Sequence, residues 1–374
     1  MTQFIYADNA ATTQLDLDAF EAMKPYLLGE YGNASQPYSF ARIARKALKE
    51  SREVIAQCIG ATPEEIFFTS GGTESNNWAI KGSVFSNPDK QAIITSAIEH
   101  HAILRPCVDV ERIGYPVAYL PVDSTGVVNV SVLSEYITSN TRLVSIMMAN
   151  NEIGSIQDIA ALASVAHSYG SLFHTDAVQA VGHIKIDVND LGVDMLSASA
   201  HKFNGPKGVG FLYVHKGTPL SPYASGGGQE NNMRAGTENI ASIVGMAVAL
   251  KKNVALINDT IAHLSLLESK LLMGLSEANI KFARNGSRVH IPGNISLSFS
   301  GHEGEALLHR LDLMGICVST GSACDSKETQ ISHVLQAIEL DADLAKGTIR
   351  LSLGKNNTED DIDVIVDALR KILK

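Results

Sequence analysis

The sequence is short of several things: in 374 residues it has one tryptophan, four cysteines, 11 prolines and fewer basic side chains (30) than acidic ones (40). Each shortage excludes something. Cys58, Cys107, Cys317 and Cys324 are too few for a disulfide framework in a chain this long, which points to a reducing, cytoplasmic setting. A formal net charge of −10 argues against direct nucleic-acid binding and against an anionic membrane surface. No apolar run approaches the roughly 18 residues that a membrane span needs. The opening MTQFIYADNAATT has neither a basic nor an apolar region of a secretory signal, so none is expected. Glycine (30) and proline together are about average, which excludes collagen and low-complexity disorder.

What is present is enough apolar sequence, 45% of residues, to bury a large core. Short, nearly continuous β-rich runs at residues 66–69, 92–95, 143–147, 172–174 and 210–214 read as strands buried on both faces. Helical spacing lies between them. Residues 158–169 put Ile159, Leu162, Ala163 and Ala166 on one face, with Gly170 as a stop. This alternation predicts an α/β domain with a mostly parallel central sheet flanked by helices, where ligands sit beyond the carboxyl ends of the strands. After Thr237 the texture changes. A long helical stretch, 240–275, leads to strands near 295–299 and 349–352 and to a final helix over 359–373 behind Thr358 as N-cap. We expect a large domain over 14–257 and a smaller α+β domain from 1–13 and 258–374, with a soft boundary inside the long helix.

Five polar patches fall at the expected strand ends. Ser70-Gly71-Gly72-Thr73-Glu74-Ser75-Asn76 precedes a helix; its glycines let backbone amides turn toward an anion, as in a phosphate cradle. A tight turn capped by Thr73 is the plainer alternative, and no Gly-Lys-Ser/Thr makes it a P-loop. Glu99-His100-His101 follows a strand. Adjacent histidines rarely face one metal, so no metal is expected, and an imidazole that stacks on a ring or relays a proton suits His100 better. Asp176 closes one strand and Lys202 another, and a lone buried Asp or Lys is costly unless paired or functional. Together they match pyridoxal 5′-phosphate: an amine for the Schiff base, and a carboxylate that keeps the pyridine nitrogen protonated. Ser199 and His201 would then serve the phosphate, and Lys207, in a Gly-Pro-Lys-Gly turn, is expected to be solvated. A structural salt bridge is the plainer alternative for Asp176 and Lys202. Finally, the small residues around Cys324 describe a mobile, exposed loop where a thiolate can reach a substrate.

With these residues in view, the chain resembles the cysteine desulfurases of the NifS/IscS-like group, in the class V aminotransferase family of pyridoxal phosphate enzymes (fold type I). The matching stretches are Ala7-Asp8-Asn9-Ala10-Ala11-Thr12-Thr13, Gly72-Thr73-Glu74-Ser75, Glu99-His100, Asn150-Asn151-Glu152-Ile153-Gly154, Asp176-Ala177-Val178-Gln179, Ser199-Ala200-His201-Lys202, Gly226-Gly227-Gly228-Gln229-Glu230, Arg234-Ala235-Gly236-Thr237 and Gly321-Ser322-Ala323-Cys324. The resemblance implies Lys202 as the Schiff-base lysine and His100 stacked on the ring. Asp176 and Gln179 would touch the pyridine nitrogen and phenolic oxygen, with Asn151 beside the cofactor and Gly72, Thr73, Ser199 and His201 at the phosphate. It implies a homodimer in which Thr237 reaches the neighbouring subunit's phosphate. Arg350 would pair with the substrate carboxylate, helped by Asn33.

The implied activity takes sulfur from L-cysteine, leaving alanine and a persulfide on Cys324 for an acceptor such as an iron–sulfur scaffold. A selenocysteine lyase, or another fold type I lyase or aminotransferase, is the alternative with the same cofactor site. Two departures stand out. Gly32-Asn33-Ala34-Ser35-Gln36 replaces the usual Gly-Asn-Pro-Ser-Ser, and Asp325 follows the cysteine where a small hydroxyl residue is usual. A carboxylate there disfavours the thiolate.

Overall fold

The structure is a computed structural model, and it describes residues 4–87, 89, 91–321 and 331–373. Among these the strands are β1 (Ile5–Tyr6), β2 (Ile66–Thr69), β3 (Ala92–Ser96), β4 (Val117–Leu120), β5 (Thr141–Ser145), β6 (Leu172–Asp176), β7 (Met195–Ser199), β8 (Gly210–Val214), β9 (Ala283–Asn285), β10 (Asn294–Ser298), β11 (Ile316–Cys317) and β12 (Thr348–Ser352). Seven of them form the central sheet in the order β2-β8-β7-β6-β5-β3-β4. The pairings from β4 through β7 are parallel, and β8 runs antiparallel to both of its neighbours.

The strand sequences explain why the sheet is covered on both sides. Consecutive residues Ile93/Ile94, Leu143/Val144, Met195/Leu196 and Leu212/Phe211 divide between two separate apolar clusters, one with Trp78 and one with Phe173 and Phe203. Side chains alternate across a strand, so two apolar neighbours in a row need a helix layer on each face. The helix Ile159–Ser168 supplies part of one layer, capped by Asp158 accepting from the Ala161 amide at 3.2 Å.

A third cluster surrounds the antiparallel sheet β12-β10-β9. It also takes in β11, which pairs in parallel with β1, so the amino-terminal residues sit against the carboxyl-terminal part. The helix Glu359–Ile372 closes this layer behind a capping box of Thr358 and Asp361.

Two expectations differ from what is observed. The expected strand 143–147 begins earlier, at Thr141, and its pairing ends at Ser145. The stretch 240–275 is two helices, Ile240–Ala255 and Ile257–Glu277, bent by 69° at Leu256. Burial explains the bend. The first helix packs its apolar face on the helices Leu17–Leu28 and Arg42–Ile59, while the second packs on Glu359–Ile372 in the third cluster. A straight helix could not bury both faces. Among the described residues no single helix is long and apolar enough to cross a membrane.

Candidate active site

The strands β3, β5, β6 and β7 run parallel, so their carboxyl ends open on one side of the sheet. A cavity of about 650 Å³ lies there, lined by Gly72, Thr73, His100, Asn151, Asp176, Gln179, Ser199, His201, Lys202 and Arg350 among others. Two expected residues, Asn33 and Thr237, do not line it. The Asn33 side chain instead accepts from the Ser35 amide at 2.9 Å. Cys324 and Asp325 lie outside the described residues, but Gly321 before them and Ser332 after them both line the cavity. Glu152 joins those two ends: Ser332 Oγ donates to its Oε2 at 2.5 Å, and a Cβ on Gly321 would come within 2.4 Å of the same atom.

Asp176 is the last residue of β6 and is 4% exposed, so its charge needs partners. It has two: Asn76 Nδ2 donates to Oδ2 at 2.6 Å, and the Val178 amide donates to Oδ1 at 3.0 Å. In the sequence Asn76 is only the end of a glycine-rich patch, yet it fixes this carboxylate. Lys202 ends a single 3-10 turn, Ala200–Lys202, directly after β7. Its Nζ donates to the carbonyls of Ala10 (2.6 Å) and Ala11 (2.7 Å), and Gln179 Nε2 donates to the same Ala10 carbonyl at 3.0 Å. The amino-terminal Asn-Ala-Ala motif is thus a docking ledge for the lysine.

His100 caps the helix His101–Arg112, with Nδ1 accepting from the Ala102 amide at 3.1 Å. That bond leaves the neutral ring its proton on Nε2. Burial pulls the His100 pKa below its ordinary value; Asp176 opposes this, and Lys202 and His101 add to it. Burial, then the charges of Lys202 and Lys207, also holds His201 neutral, at about 4, with Nδ1 3.1 Å from Thr12 Oγ1. Glu99 is fully buried and its pKa is pushed up to about 8, because the hydrogen bonds from Ser96 Oγ (2.6 Å) and the Met147 amide (2.9 Å) do not offset desolvation. Its neighbours in sequence gave no sign of this. Arg350, on β12, is also buried; Nη2 pairs with Asp8 at 2.7 Å and Nη1 donates to the Asn151 carbonyl at 3.0 Å, while Nε has no partner.

The glycine patch has the build of a phosphate cradle. Gly71 has φ 144°, and a Cβ on Gly72 would lie 2.5 Å from Val178 Cγ2. Only glycines let the backbone close on the Asp176-Ala177-Val178 turn and open the helix Gly72–Phe85 toward Ser199. A buried carboxylate, an amine just past the end of the neighbouring strand and this cradle fit pyridoxal phosphate. Asp176 would face its ring nitrogen, and Thr73, Ser199 and His201 its phosphate.

Residues 5–365 match the family model described as aminotransferase class-V. The chain belongs to this family. It is 48% identical over 376 residues to cysteine desulfurase IscS of Dictyoglomus turgidum, spanning 100% of this chain and 95% of that one. It is 44% identical over 371 residues to cysteine desulfurase IscS of Methanosarcina thermophila, spanning 99% and 92%. Of solved structures, a NifS-like protein superposes with a TM-score of 0.94 at 38% identity over 99% of both chains. SspA in complex with cysteine superposes at 0.84 and 36% identity, over 95% of this chain and 100% of that one. The family's pyridoxal phosphate fold type I is the α/β arrangement expected from the strand pattern, and the protein is an enzyme of that class.

Proposed function

We propose that the protein is a cysteine desulfurase: it removes sulfur from L-cysteine, releases L-alanine and leaves a persulfide on Cys324. One observation carries the reading. Asp176 and Lys202 close adjacent strands at a cavity that also holds Arg350 and both described ends of the Cys324 segment. The relatives named cysteine desulfurase, and the neighbour solved with cysteine, support the same activity.

Arg350 binds the substrate carboxylate, since a guanidinium fork offers paired donors in a fixed plane. Asp8 and the Asn151 carbonyl hold that plane still. Bound pyridoxal phosphate supplies the electron sink for bond breaking at the substrate's Cα and Cβ. Asp176 keeps a proton on the ring nitrogen, and Lys202 Nζ moves the Cα proton. His100, neutral with Nε2–H, exchanges a proton with the substrate thiol. The Cys324 thiolate attacks the substrate sulfur: an S–S bond forms, the Cβ–S bond breaks, and its electron pair with a proton completes the alanine methyl group. The other cysteines are poor rivals. Burial raises the Cys58 thiol to about 11 and Cys107 to about 12, and also raises Cys317.

The active unit in this reading is a cytoplasmic homodimer, with Thr237 supplied to the partner's phosphate and Asn33 helping at the substrate. The persulfide passes to an acceptor such as an iron–sulfur scaffold. Exposure of Thr237 outside its own chain's cavity supports the dimer. Cys324→Ser tests the core of the proposal. The variant should bind cofactor normally and form no persulfide with L-cysteine, as read by mass spectrometry. Undiminished alanine and sulfide release would remove Cys324 from the reaction.

A further inference from the structure

We propose that Lys207 is the cation that holds the cofactor's phosphate. The inference rests on the pyridoxal phosphate reading of the cavity and assigns a role to a residue that is exposed, as expected, and also lines that cavity.

The turn that carries Lys207 is pinned to the phosphate end of the site. The Gly205 amide donates to the Ala200 carbonyl at 2.8 Å, and the Ala200 amide donates to the Val209 carbonyl at 3.1 Å. Ala200 stands between Ser199 and His201, so both ends of the turn are tied to the residue between two of the groups that would hold the phosphate. Just beyond it, Gly210 seats against the cradle: a Cβ there would lie 2.7 Å from Gly71 Cα and 2.4 Å from the Ala198 carbonyl oxygen. Lys207 and Gly208 consequently line the cavity beside the glycines.

Charge singles out the same residue. A phosphate monoester brings close to two negative charges near neutral pH. Without the phosphate His201 is neutral, because burial and then the charges of Lys202 and Lys207 lower its pKa to about 4. Glu74 would repel the phosphate, but Arg234 neutralises it through Nε (2.8 Å) and Nη2 (3.2 Å), and is itself used up. Arg350 is committed to Asp8, and Lys202 to the Ala10 and Ala11 carbonyls and to the cofactor's carbonyl carbon. Among the described residues lining the cavity, Lys207 is the remaining lysine or arginine. A lysine ammonium, a compact point charge on a flexible stem, suits a phosphate from a turn.

The test titrates cofactor-stripped full-length protein with pyridoxal phosphate and with pyridoxal, which lacks the phosphate, following protein fluorescence. Lys207→Gln should weaken pyridoxal phosphate about tenfold or more, as loss of a charge-assisted contact does. It should leave pyridoxal unchanged, and Lys207→Arg should recover most of the lost affinity. Inorganic phosphate should compete with pyridoxal phosphate less well in Lys207→Gln than in the unsubstituted chain. An equal loss for both ligands would make the turn structural and overturn the assignment, as would an unchanged affinity for pyridoxal phosphate. Failure of the unsubstituted chain to bind pyridoxal phosphate would take down the cofactor reading itself, a result distinct from either.

Discussion

The cavity has two walls of different construction. The wall from the central sheet carries Asp176, Ser199, His201 and Lys202, each at or just after a strand end, with the Gly71-Gly72 cradle beside them. The facing wall joins pieces distant in sequence: Arg350 pairs with Asp8 across 342 positions and with Asn151 across 199, and Ser332 meets Glu152 across 180. Parallel strands in register place the first wall as one rigid unit. The second depends on the small sheet staying docked on the large one. We read the first as the wall that holds the cofactor and moves protons, and the second as the wall that selects the substrate and carries the described ends of the sulfur-accepting segment.

Four substitutions would break or sharpen that contrast. The largest effect belongs to Lys202→Ala, which should lower alanine formation from L-cysteine by about a thousandfold or more, in line with loss of a group central to the chemistry. Residual turnover above a tenth of the original rate would hand the role to another amine. On the facing wall, Arg350→Lys should raise KM for L-cysteine by about tenfold to a hundredfold and change kcat little, because a bidentate contact becomes a point charge. A drop in kcat at constant KM would move Arg350 into the chemical step and erase the distinction between walls. Asn76→Ala, behind the first wall, removes the 2.6 Å bond to buried Asp176. We expect kcat to fall about tenfold and stability by about 1–2 kcal/mol, measured by steady-state kinetics and urea melts. A loss of stability alone would show that Asn76 packs the wall without tuning it.

The smallest effect concerns Glu99, whose pKa in the folded chain is about 8 against an ordinary 4.5. Between those values the folded state holds a proton that the unfolded state has released, so stability falls as pH rises through that window. Glu99→Gln lacks this proton. Its melting temperature should therefore exceed that of the unsubstituted chain by a few degrees at pH 8, with the gap closing toward pH 5. A gap independent of pH would mean that Glu99 is already charged at pH 5.

Much of the first wall is legible in the order of residues alone. Asp176 closes one strand and Lys202 follows the end of the next, and charge at such positions is costly enough to announce itself. Glycines before a helix announce a close approach in the same way. Asn76 and Lys207 carry no such signal, since Asn in a helix and Lys in a turn are ordinary. The second wall was visible only by resemblance. Nothing local to Asp8 or Arg350 names the other as its partner, and Glu99 looks like any surface glutamate beside a histidine.

The bend at Leu256 separates the two kinds of information in the same way. Alternation of apolar residues within strands, caps such as Thr358 and the polar breaks at strand ends are short-range, and the order of residues alone decided them. Sequence alone decided, too, that the chain is an α/β enzyme with its chemistry at the carboxyl edge of the sheet. Which carbonyls receive Lys202, which carboxylate holds Arg350, and where one helix must become two depended on surfaces hundreds of residues apart meeting in space. Burial and pairing energies exist only once those surfaces touch, so only the tertiary structure could settle them.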